Sequence, residues 1–177
     1  TKVLFDIWTS DERYFKMAHE INPCLINEEG EIFNPQRLQF SEKLIDEGFL
    51  QDLLDRSPQI IPIDSIDSSY GPLISLGREI DNIDNLFIAP NGRITIVEAK
   101  LWRNPQAIRE VVAQILDYAT RISCWSYEEF ERRVQSKPRV NSSLYEYVCN
   151  NCEEELKPDS EAVFIDSVQA SLSNGRF

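Results

Sequence analysis

Pro90-Asn91-Gly92 stands between two apolar, β-prone runs, Ile83-Asp84-Asn85-Leu86-Phe87-Ile88-Ala89 and Arg93-Ile94-Thr95-Ile96-Val97-Glu98-Ala99-Lys100. That punctuation predicts a β-hairpin. Proline suits the first central position of a type I turn, asparagine the second, and glycine the left-handed position that closes a three-residue loop with a bulge. A loop of that length pairs Ala89 with Arg93. Counting back along an antiparallel ladder then sets Asp84 opposite Glu98, on one face of the sheet. Lys100 joins that face, because residues two apart on a strand point the same way. Two carboxylates and an ammonium therefore gather where the apolar run of Ile94 and Ile96 gives way to charge. Facing carboxylates repel, and a divalent cation between them gives the arrangement a reason. The plainer alternative is a salt-bridged cluster at a sheet edge, ordinary in an acidic protein.

Beyond the hairpin, Asn104-Pro105 makes a helix start, with an N-cap residue and proline at the first helical position. Ile108, Val111, Val112, Ile115, Ala119 and Ile122 recur at helical spacing, so this helix is expected to run to about residue 122. Gln114 and Tyr118 lie four apart on it, with Arg121 one turn further along. On its own, Tyr118 would read as an amphipathic residue at a core boundary. An earlier helix is expected over Ser41 to Arg56, interrupted at Gly48, with Glu47, Leu50 and Leu54 on one stripe. Glu47 there also reads as a solvated glutamate near a helix start.

An Asp, a hairpin, and Glu-x-Lys at the end of the next strand resemble the PD-(D/E)XK nuclease superfamily. The proline of the family name is replaced here by Ile83. Gln114-x-x-x-Tyr118 is similar to the signature of its RecB-type branch, and Glu47 resembles the acidic residue of its first helix, with Glu42 as the fallback. The resemblance spans roughly residues 42 to 122, about half the chain. It implies a restriction-endonuclease-like αβββαβ core, an α/β fold with a mixed central sheet flanked by helices. It further implies a magnesium-dependent nuclease, acting on DNA, in which manganese can substitute. Asp84, Glu98, the carbonyl of Ala99 and Glu47 would hold the metal. Lys100 would handle the attacking water, Gln114 would position, and Tyr118, Arg103, Arg109 and Arg121 would meet the nucleic acid. The alternative is an inactive module that keeps the fold and binds nucleic acid or regulates.

Composition sets the bounds. At 177 residues the chain suffices for one domain with a good core and is short for two. The reading is a single domain over 1–177, its core over about 42–170 and an N-terminal extension over 1–40. The end at Ser173-Asn174-Gly175-Arg176-Phe177 looks like a turn entering another strand, so a longer parent protein with a further C-terminal domain is expected. No apolar run approaches the roughly 20 residues of a membrane helix, and the first residues lack a signal-peptide core, which reads as cytoplasmic. The net charge of −12 argues against a general nucleic-acid binder. Its distribution softens that objection: residues 71 to 145 carry 10 basic and 9 acidic side chains, against 6 and 14 in residues 1 to 70. Oligomeric state stays open, a homodimer among the options.

Cys24, Cys124, Cys149 and Cys152 are too few and too uneven for a disulfide framework and read as free thiols. Cys149-Asn150-Asn151-Cys152 has half a zinc knuckle's spacing, but completing it would need distant cysteines or His19. Elsewhere the pattern predicts a strand over residues 3 to 8, a helix from Ser10-Asp11, a half-buried strand over Ile74 to Ile80, a charged segment over Tyr127 to Val134, a helix from Ser143 to Cys149, and a strand at Ala162-Val163-Phe164-Ile165.

Overall fold

The computed structural model describes residues 25–26, 31–33, 46–100 and 106–177. The strand expected over residues 3 to 8, the helix from Ser10, the Asn104-Pro105 start, Arg103, Glu42, His19 and Cys24 lie outside them. A short ladder pairs β1 (Leu25–Ile26) with β2 (Ile32–Phe33). Helix α1 (Glu47–Arg56) and a short helix α2 (Ile63–Asp67) precede an antiparallel sheet of three strands, β3 (Ile74–Ile80), β4 (Ile83–Ile88) and β5 (Ile94–Val97), in that order. Four helices follow: α3 (Gln106–Ile122), α4 (Tyr127–Gln135), α5 (Leu144–Asn150) and α6 (Glu161–Asn174).

The sheet lies between two apolar layers. Leu86, Ile88, Ile94 and Ile96 join the larger core with Tyr118 and Ile122 of α3, Phe130 and Val134 of α4, and Phe164, Val168 and Leu172 of α6. Phe87, Val97 and Ala99 face the other way, onto Leu54 of α1, Ile61, Ile63 and Tyr70. This is the period of two expected of strands covered on both faces, and all six residues of β4 are buried. Asn85 fits this alternation: its side-chain amide donates to the Gln51 carbonyl of α1 at 3.0 Å.

Both turns of the meander follow from local chemistry. Ile80 pairs with Ile83, so Asp81 and Asn82 form a two-residue loop, both with positive φ (52° and 66°). That is the primed hairpin geometry which asparagine and aspartate tolerate best. Between β4 and β5, Ala89 N–H donates to the Arg93 carbonyl at 2.8 Å, and Gly92, at φ 81°, donates to the Ala89 carbonyl at 2.9 Å. The loop is the three-residue one that Pro90-Asn91-Gly92 predicts.

One expectation about an element is corrected, and one segment without an assigned type is helix. Residues 162 to 165 are not a strand but the first turns of α6, capped by Ser160 and closed by left-handed Gly175. Phe164, Val168 and Leu172 supply a buried stripe at a spacing of four, which a strand of four apolar residues would not continue. Tyr127 to Val134 is likewise helix, burying Tyr127, Phe130 and Val134 beneath charged neighbours. The described sheet is therefore antiparallel, not mixed, and the last β of the expected order is helix. Helix α1 begins at Glu47, because the Asp46 side chain accepts from Phe49 N–H at 2.7 Å, and Gly48 does not interrupt it. No helix among the described residues is long and apolar enough to cross a membrane.

Candidate functional site

The register of β4 and β5 runs from Ile88 opposite Ile94 to Asn85 opposite Val97, so one further step sets Asp84 opposite Glu98. Both acids are buried, 8% and 9% exposed. Placing two carboxylates together away from water is unfavourable by several kcal/mol per ion unless something offsets it. Part of the offset is visible. Ala99 N–H donates to Asp84 Oδ2 at 2.9 Å, and Lys100 Nζ lies 3.1 Å from Glu98 Oε1 and 3.3 Å from Glu47 Oε2. The Lys100 ammonium thus ties the end of β5 to the first turn of α1.

Glu98 is the less satisfied of the pair. Lys100 approaches it at ion-pair distance without the direction of a hydrogen bond, and both Glu98 oxygens are buried without a geometrically aligned donor among the described residues. Burial first, and then the facing Asp84, push its carboxyl above the ordinary value, against the pull of Lys100. Burial alone would lower the Lys100 ammonium, but Glu98 and Glu47 outweigh it and hold it above its usual range. Tyr118 of α3 completes the cluster: burial, Glu98 and Asp84 raise its hydroxyl to about 12, so it is a protonated donor at neutral pH.

Other expected residues fall around this centre unequally. Gln114 sits one turn before Tyr118 on the same side of α3, half-buried, its Oε1 without a hydrogen-bond partner. Arg121 stacks on the Tyr118 ring at 5.2 Å but is turned to Asp81 (2.6 Å) and Asp117 (3.1 Å), so its guanidinium is engaged in holding the β3–β4 turn to α3. Arg109 is exposed, and nine positions from Tyr118 at 100° each put it on the opposite side of the helix. Sequence reasoning gave no signal for the Glu47 and Lys100 ion pair, which joins residues 53 apart in the chain.

Among the described residues no three His, Cys, Asp or Glu side chains converge as a metal cluster. At this site Glu47 meets the Lys100 ammonium at 3.3 Å. The donor set still suits a hard cation, since carboxylate oxygens without directed partners are what magnesium takes. Cys124, Cys149 and Cys152 are free thiols. Comparisons of this chain with protein-family models, with curated proteins and with solved structures found no match.

Proposed function

We propose that this chain is a metal-dependent nuclease domain of the PD-(D/E)XK type, cleaving phosphodiester bonds in DNA, with Asp84, Glu98 and Lys100 as its catalytic residues. One observation carries the reading: a facing pair of buried acids, one of them without a directed hydrogen bond, closed by an ammonium and a protonated tyrosine. Buried, mutually perturbed titratable groups concentrate at functional sites. Asp84, Glu98, the Ala99 carbonyl and Glu47 would hold magnesium, or manganese in its place, and the ion would supply charge relief on the phosphate and an activated water. Lys100 orients that water and offsets the charge that grows on the phosphate oxygens. Tyr118 donates toward the same centre, and Gln114 positions. The finer fold expectation, a restriction-endonuclease-like core, belongs to this proposal.

A second reading is favoured by the placement of Lys100 between Glu98 and Glu47. There the ammonium would act as a built-in counter-ion in a module that binds nucleic acid without cutting it. Incubation with linear and circular DNA and with RNA, in magnesium, manganese or chelator, separates the two. Metal-dependent cleavage lost in Asp84→Asn and Lys100→Ala supports the nuclease. Binding without cleavage in every metal supports the module.

A further inference from the structure

At the other end of the same hairpin, the Pro90-Asn91-Gly92 tip, the residue 68–70 turn and α6 border an open cavity of about 390 Å³, with Asn174 and Arg176 exposed at its rim. It takes in Arg93 and Arg176 and no acidic side chain. In a chain with 30 acidic and 18 basic residues, five described arginines find a carboxylate: Arg78, Arg121, Arg132, Arg133 and Arg139 all form ion pairs. Among the described residues Arg93 and Arg176 form none, nor do Arg56 and Arg109, but only Arg93 and Arg176 face one cavity.

The walls are held in place by contacts that leave these two guanidinium groups without an ion pair among the described residues, with Asp67 near enough to feel the Arg93 charge. Arg93 lies over the Tyr70 ring at 4.9 Å, an arrangement that fixes the guanidinium plane and leaves its N–H edge to act as donor. Asn91 is tied on both sides, donating to the Ser69 carbonyl at 2.8 Å and accepting from Arg93 N–H at 3.2 Å. Ser171 donates to the Gly92 carbonyl at 3.0 Å, docking the hairpin tip on α6. Ser167 and Asn174 also line the space, and neither side chain has a hydrogen bond within the described residues. Two forked cations, a hydroxyl and an amide facing one volume form a donor set for a tetrahedral oxyanion.

We propose that this cavity is a phosphate-binding subsite for a nucleotide, held by Arg93 and Arg176 with Ser167 and Asn174. Its volume exceeds what orthophosphate needs and falls in the range of small-molecule sites, so the phosphate arrives attached to a larger group. It is a separate site from the acid pair. Arg93 and Glu98 are five residues apart on an extended strand, about 17 Å at the strand rise, too far for one phosphate to touch both. The shared chemistry is a phosphate monoester, supplied by a free nucleotide or by the phosphorylated end of a strand.

Calorimetry on the full chain in chelator, where no divalent ion acts, tests it with inorganic phosphate, adenosine 5′-monophosphate, and a hexanucleotide with and without a 5′-phosphate. Arg93→Gln and Arg176→Gln should each weaken phosphate and nucleotide binding at least tenfold, while Arg132→Gln, at an exposed arginine outside the cavity, binds as the wild type does. Arg176 follows the last helical turn, so its substitution leaves the fold intact if the removal of Arg93 does not. Equal affinity for the mononucleotide and the phosphorylated strand assigns a free nucleotide; preference for the phosphorylated strand over both the mononucleotide and its 5′-hydroxyl counterpart assigns a strand end. No binding at millimolar phosphate or nucleotide, or wild-type affinity in both arginine variants, overturns the proposal. Because this experiment reads binding without metal, failure here is distinct from failure of the nuclease reading, which is read as metal-dependent cleavage.

Discussion

The backbone N–H of Ala99 donates to Asp84 Oδ2 at 2.9 Å, whereas neither oxygen of Glu98 receives an aligned hydrogen bond among the described residues. The two acids of the hairpin are therefore held unequally. Asp84 is fixed by the backbone of the opposite strand, and Glu98 depends on the charge of Lys100.

That asymmetry separates two substitutions of Asp84. Asn in its place keeps an oxygen to accept from Ala99, while Ala leaves a buried N–H without a partner, which costs about 1–3 kcal/mol. Thermal melts in chelator should show Asp84→Ala clearly below Asp84→Asn. Both variants should lose manganese binding by calorimetry, since each removes a carboxylate of the proposed metal site. Retained stoichiometric manganese in Asp84→Ala would remove the acid pair from the metal site.

Glu98 gives the protein a pH dependence of definite sign. Its carboxyl titrates above 4.5 in the folded chain, so the native state holds a proton that the unfolded chain has already released. The stability that proton contributes is full below pH 4.5 and is lost as pH rises through the folded-state value. In chelator, Glu98→Gln should therefore melt higher than the wild type at pH 8, and the gap should close toward pH 4. A gap that widens on acidification contradicts the assignment.

Gly92 is the tightest point of the hairpin tip. A Cβ there would lie 2.9 Å from Ser167 Cβ and 3.0 Å from the Val168 nitrogen, with φ already at 81°. The neighbour is helix backbone and cannot move aside cheaply. Gly92→Ala should destabilise by about 1–3 kcal/mol, several degrees in Tm for a chain of this size. A melt unchanged from wild type would show that the tip is not docked on α6.

How far such features were legible depends on how local they are. The loop length, and with it the pairing of Asp84 and Glu98, follows from three residues whose turn preferences agree. Ala162 to Ile165 reads as a strand in sequence because four apolar residues suit either a strand or a helix. The arbiters, Ser160 as cap, Gly175 past the end, and Phe164, Val168 and Leu172 at a spacing of four, lie outside that window. Arg121 was assigned to phosphate because its helix position places it near Tyr118. Only tertiary structure shows that the Asp81 turn brings it a carboxylate. The Glu47 and Lys100 pair is of the same kind, created by where α1 rests against the sheet.

In the proposed nuclease, Lys100 is the residue on which the chemistry turns. Its ammonium stands beside Glu98, where charge on a phosphate in flight would be countered, and an interaction made mainly in the transition state lowers kcat rather than raising KM. With magnesium or manganese, Lys100→Ala should reduce the kcat for DNA cleavage by roughly a hundredfold or more, the scale of losing one such electrostatic contact, while changing substrate binding little. Lys100→Arg should recover part of the loss, because it restores the charge but not the compact ammonium. Gln114→Ala should be milder, as fits a positioning residue. Wild-type turnover in Lys100→Ala would leave the ion pair with Glu47 and Glu98 as a purely structural tie.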